Sequence, residues 1–378
     1  MDNSAVPNFT NVTLAPLSPN AWPTNVPSQK VGNGSLDIQH RFGKSTVIDA
    51  GYTLNYSSNQ YLTYDLNYIP IGASWPFKAS NLNPTTSGST SADLGSIYER
   101  TLYPGYGAIN GAAFLGSSRY NALTTRVTRQ ISHGLSAGAS YTWSKAMGIT
   151  TYSPEVTNNR SYNYGVLPFD RTHDLQITYV YNIPDLAGSQ HKMIGYATDH
   201  WQLSGVTSIM SGAPYNPTCS VTNGSSAPAS YTGTPDLTAR CNVVGNPLAG
   251  MGTNGNGKVY FNGSAFALPA LGTGPNNSIV GSPVLGNLGG GAGVLRLPFT
   301  TNFDVTLTKT IPIFGSETHL LKIQVQAYNV FNHTEISGLN SALQFNPTTN
   351  MLSNPSQVGF VDSTFPNRVL EFSARLVF

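Results

Sequence analysis

Three stretches of the sequence carry residue types that could do chemistry. Residues 134–138 read Gly-Leu-Ser-Ala-Gly, the spacing of a nucleophile elbow, with His133 immediately before them. An elbow needs a strand, a sharp turn and then a helix to lift the serine hydroxyl clear of a sheet. Ser136 instead sits inside a run of alternating apolar and small polar residues that continues to Trp143, which makes it a small residue on the wet side of a strand. In Phe169–Asp174, Asp170, His173 and Asp174 gather as if to ligate a metal. With one imidazole among them, and a strand opening at that point, they read as a polar strand entry. The glycine-rich stretch at 286–293 lacks the Lys-Ser/Thr that completes a phosphate cradle, and it precedes a strand. The 17 acids are scattered, so no carboxylate pair can be placed for acid/base work. The expectation is no catalytic residue, no metal site and no bound cofactor. The two cysteines, Cys219 and Cys241, fit no zinc spacing and lie in Pro/Ser/Thr/Asn-rich sequence. They are expected to form a disulfide inside a long surface loop.

The composition narrows what could position such residues. Of 378 residues only 10% are charged, against roughly 25% in ordinary soluble domains. The missing charge is replaced by Asn, Ser, Thr, Gly and Tyr rather than by aliphatics. Thirty-eight glycines and 25 prolines argue against a helix-rich fold. Twenty tyrosines and 16 phenylalanines argue against disorder. A net charge of +2 gives no electrostatic reason to expect nucleic acid as a partner. No apolar run approaches the ~18 residues of a transmembrane helix. The opening residues show neither a basic region nor an apolar core, so no signal peptide is expected.

The dominant period is two. Nine segments alternate apolar and small polar residues, near 34–42, 46–56, 119–131, 134–145, 172–183, 199–211, 300–311, 319–330 and 367–378. In the last, Leu370, Phe372, Ala374, Leu376 and Phe378 share one face, with Glu371, Ser373 and Arg375 on the other. Asp37, Arg41, Arg126, Asp174, Asp304 and Lys322 likewise fall on the polar parity, while Arg129 and His40 are exceptions near short-turn ends. A charge facing lipid at mid-bilayer would cost about 2 to 4 kcal/mol, and this partition avoids it. The connections alternate too. Those at 43–45, 132–133, 184–198 and 312–318 are tight, whereas 57–118, 146–171, 212–299 and 331–366 are long. Short turns at one end and long loops at the other are the habit of an outer-membrane barrel. Tyr141, Trp143, Tyr179, Tyr181 and Trp201 lie near segment ends, as an interfacial aromatic girdle requires. The fold class is therefore all-β, an antiparallel transmembrane β-barrel portion of about nine strands, with residues 1–33 an irregular segment.

Taken in order, SRYNALTTRVTRQISHGLSAGASYTWSKAM, FDRTHDLQITYVYNIP, HWQLSGVTSIMSGAPYN, FNGSAFALP, NFDVTLTKTIPI, LKIQVQAYNVFNH and VGFVDSTFPNRVLEFSARLVF resemble the C-terminal half of Oar-like TonB-dependent transporter barrels. The likeness runs from about Gly34 to Phe378. It implies a 22-stranded outer-membrane barrel, of which residues 34–378 would be the C-terminal portion. Such proteins also carry a carboxypeptidase-regulatory-like domain, a plug and a TonB-contacting segment, none of which has a counterpart in this sequence. The end of the chain, with Phe372, Leu376 and Phe378 in alternation, is similar to the signal such barrels present to the barrel-assembly machinery.

The partners expected are outer-membrane lipid, the assembly machinery, the missing N-terminal barrel and plug, and TonB only through that missing portion. A secreted or surface adhesin whose long loops bind a partner, and a small autonomous porin, are the alternative readings. Nine strands leave two open edges, and counting directions back from Phe378 makes the first strand run inward. Residues 1–33 are then expected to be the remainder of an extracellular loop, and the chain a fragment incompetent for transport alone.

Overall fold

The computed structural model describes residues 17–71, 100–132, 134–149, 151, 162–186, 192–221, 232, 234, 236–237, 240–254, 257–269, 286–291, 293–313, 318–346 and 349–378. Nine long strands form its frame: β1 (Lys30–Phe42), β2 (Thr46–Asp65), β3 (Asn110–Ser132), β4 (Leu135–Ile149), β5 (His173–Asn182), β6 (Trp201–Met210), β7 (Thr300–Pro312), β8 (Leu320–Tyr328) and β9 (Val369–Val377). They pair in sequence order, each antiparallel to the next. The nine alternating segments of the sequence are these nine strands. No helix among the described residues is long and apolar enough to cross a membrane.

The register keeps the parity continuous from strand to strand. Asp49, Arg126, Ser140, Gln176, Ser208 and Asn302 form one cross-strand row. On the opposite face, Tyr52, Leu123 and Trp143 stand side by side, as do Val325 and Phe372. A one-residue slip in any pair would turn a whole strand inside out, so the chemistry of the two faces fixes the register. Within the described residues β1 and β9 each have one long-strand neighbour, so the sheet is open at both edges.

Two departures from the sequence reading have local causes. β2 continues to Asp65 and β3 begins at Asn110, well inside the stretch 57–118 expected as loop. A register shift at Ser58–Leu62, with Asn59 at φ 56°, reverses the parity there, so Leu62 is buried while Tyr61 is exposed. An extra residue breaks the alternation without ending the strand. The irregular N-terminal segment is also shorter than the expected 1–33. β1 starts at Lys30, Asn20–Ala21 pairs with Asn110 and Gly111, and Trp22 stacks on Tyr61 with ring centroids 5.7 Å apart.

The connections 66–109, 150–172, 211–299 and 329–368 all leave one end of the sheet. The links at the other end are short, apart from 183–200, which holds the seven-residue helix α1 (Lys192–Thr198). At the long-loop end, short pairings knit the loops into a cap. Thr218–Val221 runs parallel to Ala342–Phe345, and Ile336–Leu339 pairs with Val361–Thr364. A hydrophobic core cluster of the described residues lies in this cap. It is built from Phe261, Phe266, Leu288, Leu295, Leu343, Phe345 and Val358, with Cys241 inside it and Cys219 packed against it.

Candidate functional site

The polar parity of β3 to β8 lines a concavity of about 700 Å³, whose wall includes Arg126, Thr128, Ser136, Ser140, Gln176, Thr178, Ser204, Asp304, Thr306 and Gln326. Its side chains are organised across strands. Gln176 donates from Nε2 to Ser208 Oγ and to Asp174 Oδ1, each at 2.7 Å. Asn302 Nδ2 donates to Asp304 Oδ2 at 2.9 Å, and Asp304 Oδ1 accepts from the Asn329 N–H at 2.9 Å. Such a surface presents hydroxyls, amides and a few opposed charges to water, with Val180, Val206 and Met210 among the apolar interruptions on this parity.

The suspected chemistry disperses accordingly. Ser136 lies within β4, its hydroxyl donating weakly to the Arg129 carbonyl at 3.4 Å, and His133 lies outside the described residues. Asp170, His173 and Asp174 point to three different places. Asp170 is fully buried, ion-paired to Arg296 and accepting the Ala146 N–H at 2.5 Å. His173 turns outward, its Nδ1 2.8 Å from the Tyr141 hydroxyl, with the two rings stacked. Asp174 joins the polar face. Among the described residues no group of three His, Cys, Asp or Glu is placed to hold a metal.

Charges the sequence reading did not single out staple the cap together. Arg100 bridges Asp65 Oδ2 at 2.5 Å and Asp236 Oδ1 at 3.4 Å, joining the top of β2 to the loop after β6. Asp236 also accepts the Ile69 N–H at 2.7 Å, and burial raises its carboxyl above the usual range against the opposing pull of that hydrogen bond and of Arg100. Arg240 donates to the Tyr162 carbonyl and to Asn163 Oδ1 at 2.7 Å, with its guanidinium 3.7 Å above the Tyr162 ring. Burial pushes the Arg240 guanidinium down and the Tyr162 hydroxyl up. The clue to these staples was the scarcity of charge itself: in loops so poor in ions, Arg100, Arg240 and Arg296 each have a specific partner. Cys219 and Cys241 stand with Cα atoms 5.8 Å apart, the separation of a disulfide.

The outward face is the inverse of a soluble surface. Leu36 is 70% exposed, Trp143 56% and Phe372 72%. Tyr141 and Trp143 straddle the middle of β4, opposite the long-loop end of β5, whereas Tyr179, Tyr181 and Trp201 lie toward the short-turn end of β5 and β6. Trp143 and Leu135, the partner of Tyr181, are eight residues apart, roughly 26 Å along the strand and about 20 Å in height at the usual tilt. That is close to the apolar band of an outer-membrane barrel, about 25 Å tall.

The profile of the outer membrane beta barrel domain matches residues 2–371. The chain belongs to this family. It resides in the cell outer membrane, with its apolar parity against lipid and its polar parity facing the barrel interior. No curated protein matches the chain. Among solved structures it is similar to the outer membrane transporter YddB from Escherichia coli, at 10% identity over 96% of this chain and 35% of that one, with a TM-score of 0.45. It is also similar to the ferric-catecholate import receptor Fiu from E. coli K12, at 11% identity, 93% and 28% coverage and a TM-score of 0.38. The FrpB iron transporter from Neisseria meningitidis follows at 10% identity, 94% and 32% coverage and a TM-score of 0.39. The chain thus spans about a third of the length of these barrels.

Proposed function

We propose that the chain is the C-terminal portion of a TonB-dependent outer-membrane transporter barrel, supplying nine strands of the wall and the loops of the extracellular mouth. The observation that carries this reading is the direction of the two open edges. β1 runs from the long-loop end to the tight turn at 43–45, and β9 runs the same way after the long loop 329–368. An antiparallel wall cannot be closed by joining two strands of like direction, nor by repeating this unit around a ring. Closure requires an odd number of further strands, which makes the total even, as in bacterial single-chain barrels. The ordered resemblance of residues 34–378 to the C-terminal half of TonB-dependent transporters supplies the identity of those strands.

On this reading the plug and the TonB-contacting segment belong to the portion of the protein that also closes the wall. Residues 17–29, ahead of β1, belong to the extracellular mouth, and this chain by itself does not transport. Phe372, Leu376 and Phe378, all exposed on the outer side of β9 or beyond its end, form the assembly signal. Tyr141 and Trp143 form the outer aromatic girdle, with Tyr179, Tyr181 and Trp201 as the inner one. Cys219 and Cys241 form a disulfide that pins the cap. The test is to express the chain behind a signal peptide, alone and together with the barrel portion encoded upstream. Alone it should give no heat-modifiable monomer; with its complement it should give a heat-modifiable species in the outer membrane. A heat-modifiable monomer from this chain alone that conducts ions across planar bilayers would overturn the proposal in favour of a small porin.

A further inference from the structure

Lys309 occupies a position where a lysine should not be buried. It lies in β7 between Leu307 and Ile311 on the outward parity, in register with Trp201 of β6 and Ile323 of β8. Among the described residues no strand lies outside that face, yet Lys309 is 6% exposed. What covers it is the link 183–200. Its Nζ donates to the Asp199 carbonyl and lies 5.3 Å from the centroid of the Trp201 ring. Gly195 and Tyr196 of α1 border, with Lys309, a cavity of about 180 Å³. Trp201, itself outward-facing, donates its indole N–H to the Ala197 carbonyl at 2.8 Å. The helix is therefore folded up against the outside of the wall, over the one lysine that would otherwise face hydrocarbon from β7. Of its described side chains, the large exposed ones are Ile194, 54% exposed, and Tyr196, 51%.

We propose that α1 is an interfacial helix seated in the inner leaflet of the outer membrane, at the boundary between headgroups and acyl chains. Its uncovered side is continuous with the lipid-facing surface of β6 and β7, which the family places in the bilayer. At seven residues it is too short to span, so it lies along the boundary, where an isoleucine gains by leaving water and a tyrosine keeps its hydroxyl wet. The arrangement also lets the wall carry a lysine on its lipid side, since the residue after the helix supplies the Asp199 carbonyl and the helix the shielding in place of water. The inference rests on the membrane location of the chain and is independent of the transporter reading.

Site-directed spin labelling tests it. With Cys219 and Cys241 left in place, single cysteines replace Ile194 or Tyr196 in the full chain reconstituted into phosphatidylethanolamine/phosphatidylglycerol vesicles. Accessibility to oxygen and to a water-soluble nickel chelate is compared with labels at Lys44, in the tight turn at the same end, and at Val127, on the outward face of β3. Labels at 194 and 196 should give an oxygen-to-nickel ratio several-fold above that at Lys44 and below that at Val127. A ratio equal to that at Lys44 places α1 in water and overturns the proposal, as does low accessibility to both agents, which would mean a protein partner covers it. Should Val127 itself read as wet, the wall has not inserted, and the failure lies with the barrel rather than with the helix.

Discussion

The wall and the cap of this molecule solve the burial problem in opposite senses. In the cap, Phe261, Phe345, Ile69 and Leu343 are buried to within 1% of complete, and Arg100 and Arg296 are paired with carboxylates. In the wall, Leu36, Trp143 and Phe372 stand exposed and the hydroxyls and amides turn inward. The same hydrophobic effect builds both, acting on water that lies outside the cap but inside the wall. The cap therefore carries its own core, whereas the wall borrows one from the bilayer. Stability of the two regions should respond to different perturbations, and four experiments separate them.

The largest effect is expected at Arg296. Asp170 has no exposed side-chain surface, so Arg296→Ala leaves a buried carboxylate uncompensated. The cap should lose about 3 to 5 kcal/mol, read as protease sensitivity of the loops, while strand content by circular dichroism is unchanged. Loss of the strands as well would mean that the wall depends on the cap. Next come two arginines one residue apart in β5. Ile177→Arg places a charge against lipid and should cost about 2 to 4 kcal/mol, seen as reduced insertion into vesicles; Thr178→Arg, facing the polar concavity, should insert as the parent does. Equal behaviour of the pair would contradict the assignment of the faces.

Removing the cysteine pair as Cys219→Ser with Cys241→Ser should lower cap stability by about 3 kcal/mol, given a sequence separation of 22. Dithiothreitol should reproduce the change in the parent chain. Quantitative alkylation of both thiols without reductant would show that no bridge forms. The smallest effect concerns Asp236, whose carboxyl is raised by burial. A raised carboxyl contributes stability that is fully present below the ordinary Asp value and is lost as pH rises through the raised one. Protection of the Ile69 amide, corrected for intrinsic exchange, should fall on going from about pH 4 to pH 7. In Asp236→Asn that fall should flatten, and an unchanged pH dependence would assign it to other groups.

The wall was legible in the sequence because a period of two repeated over Leu370 to Phe378, or Leu135 to Trp143, admits few other structures. It ceased to be legible where the parity broke. The bulge at Ser58–Leu62 hid the upper halves of β2 and β3, and α1 was hidden because a short helix between Pro184 and Trp201 leaves no periodic trace. The cap was opaque for a different reason: its core is drawn from Phe261, Leu288, Leu343 and Phe345, single apolar residues in Asn- and Gly-rich segments far apart in the chain. Only tertiary contact gives them a common face. Asp170 shows the cost of reading a cluster by composition, for its neighbour in space is Arg296 and not His173.

The parallel pairing of Thr218–Val221 with Ala342–Phe345 has a temporal meaning. Between those two segments the chain must run down the wall as β7 and return as β8, so the pairing cannot form until that hairpin has been threaded. Contacts of such long sequence separation are made late. The closed mouth is then a certificate of assembly: a protease added from outside during biogenesis would cut the unfinished protein and spare the finished one.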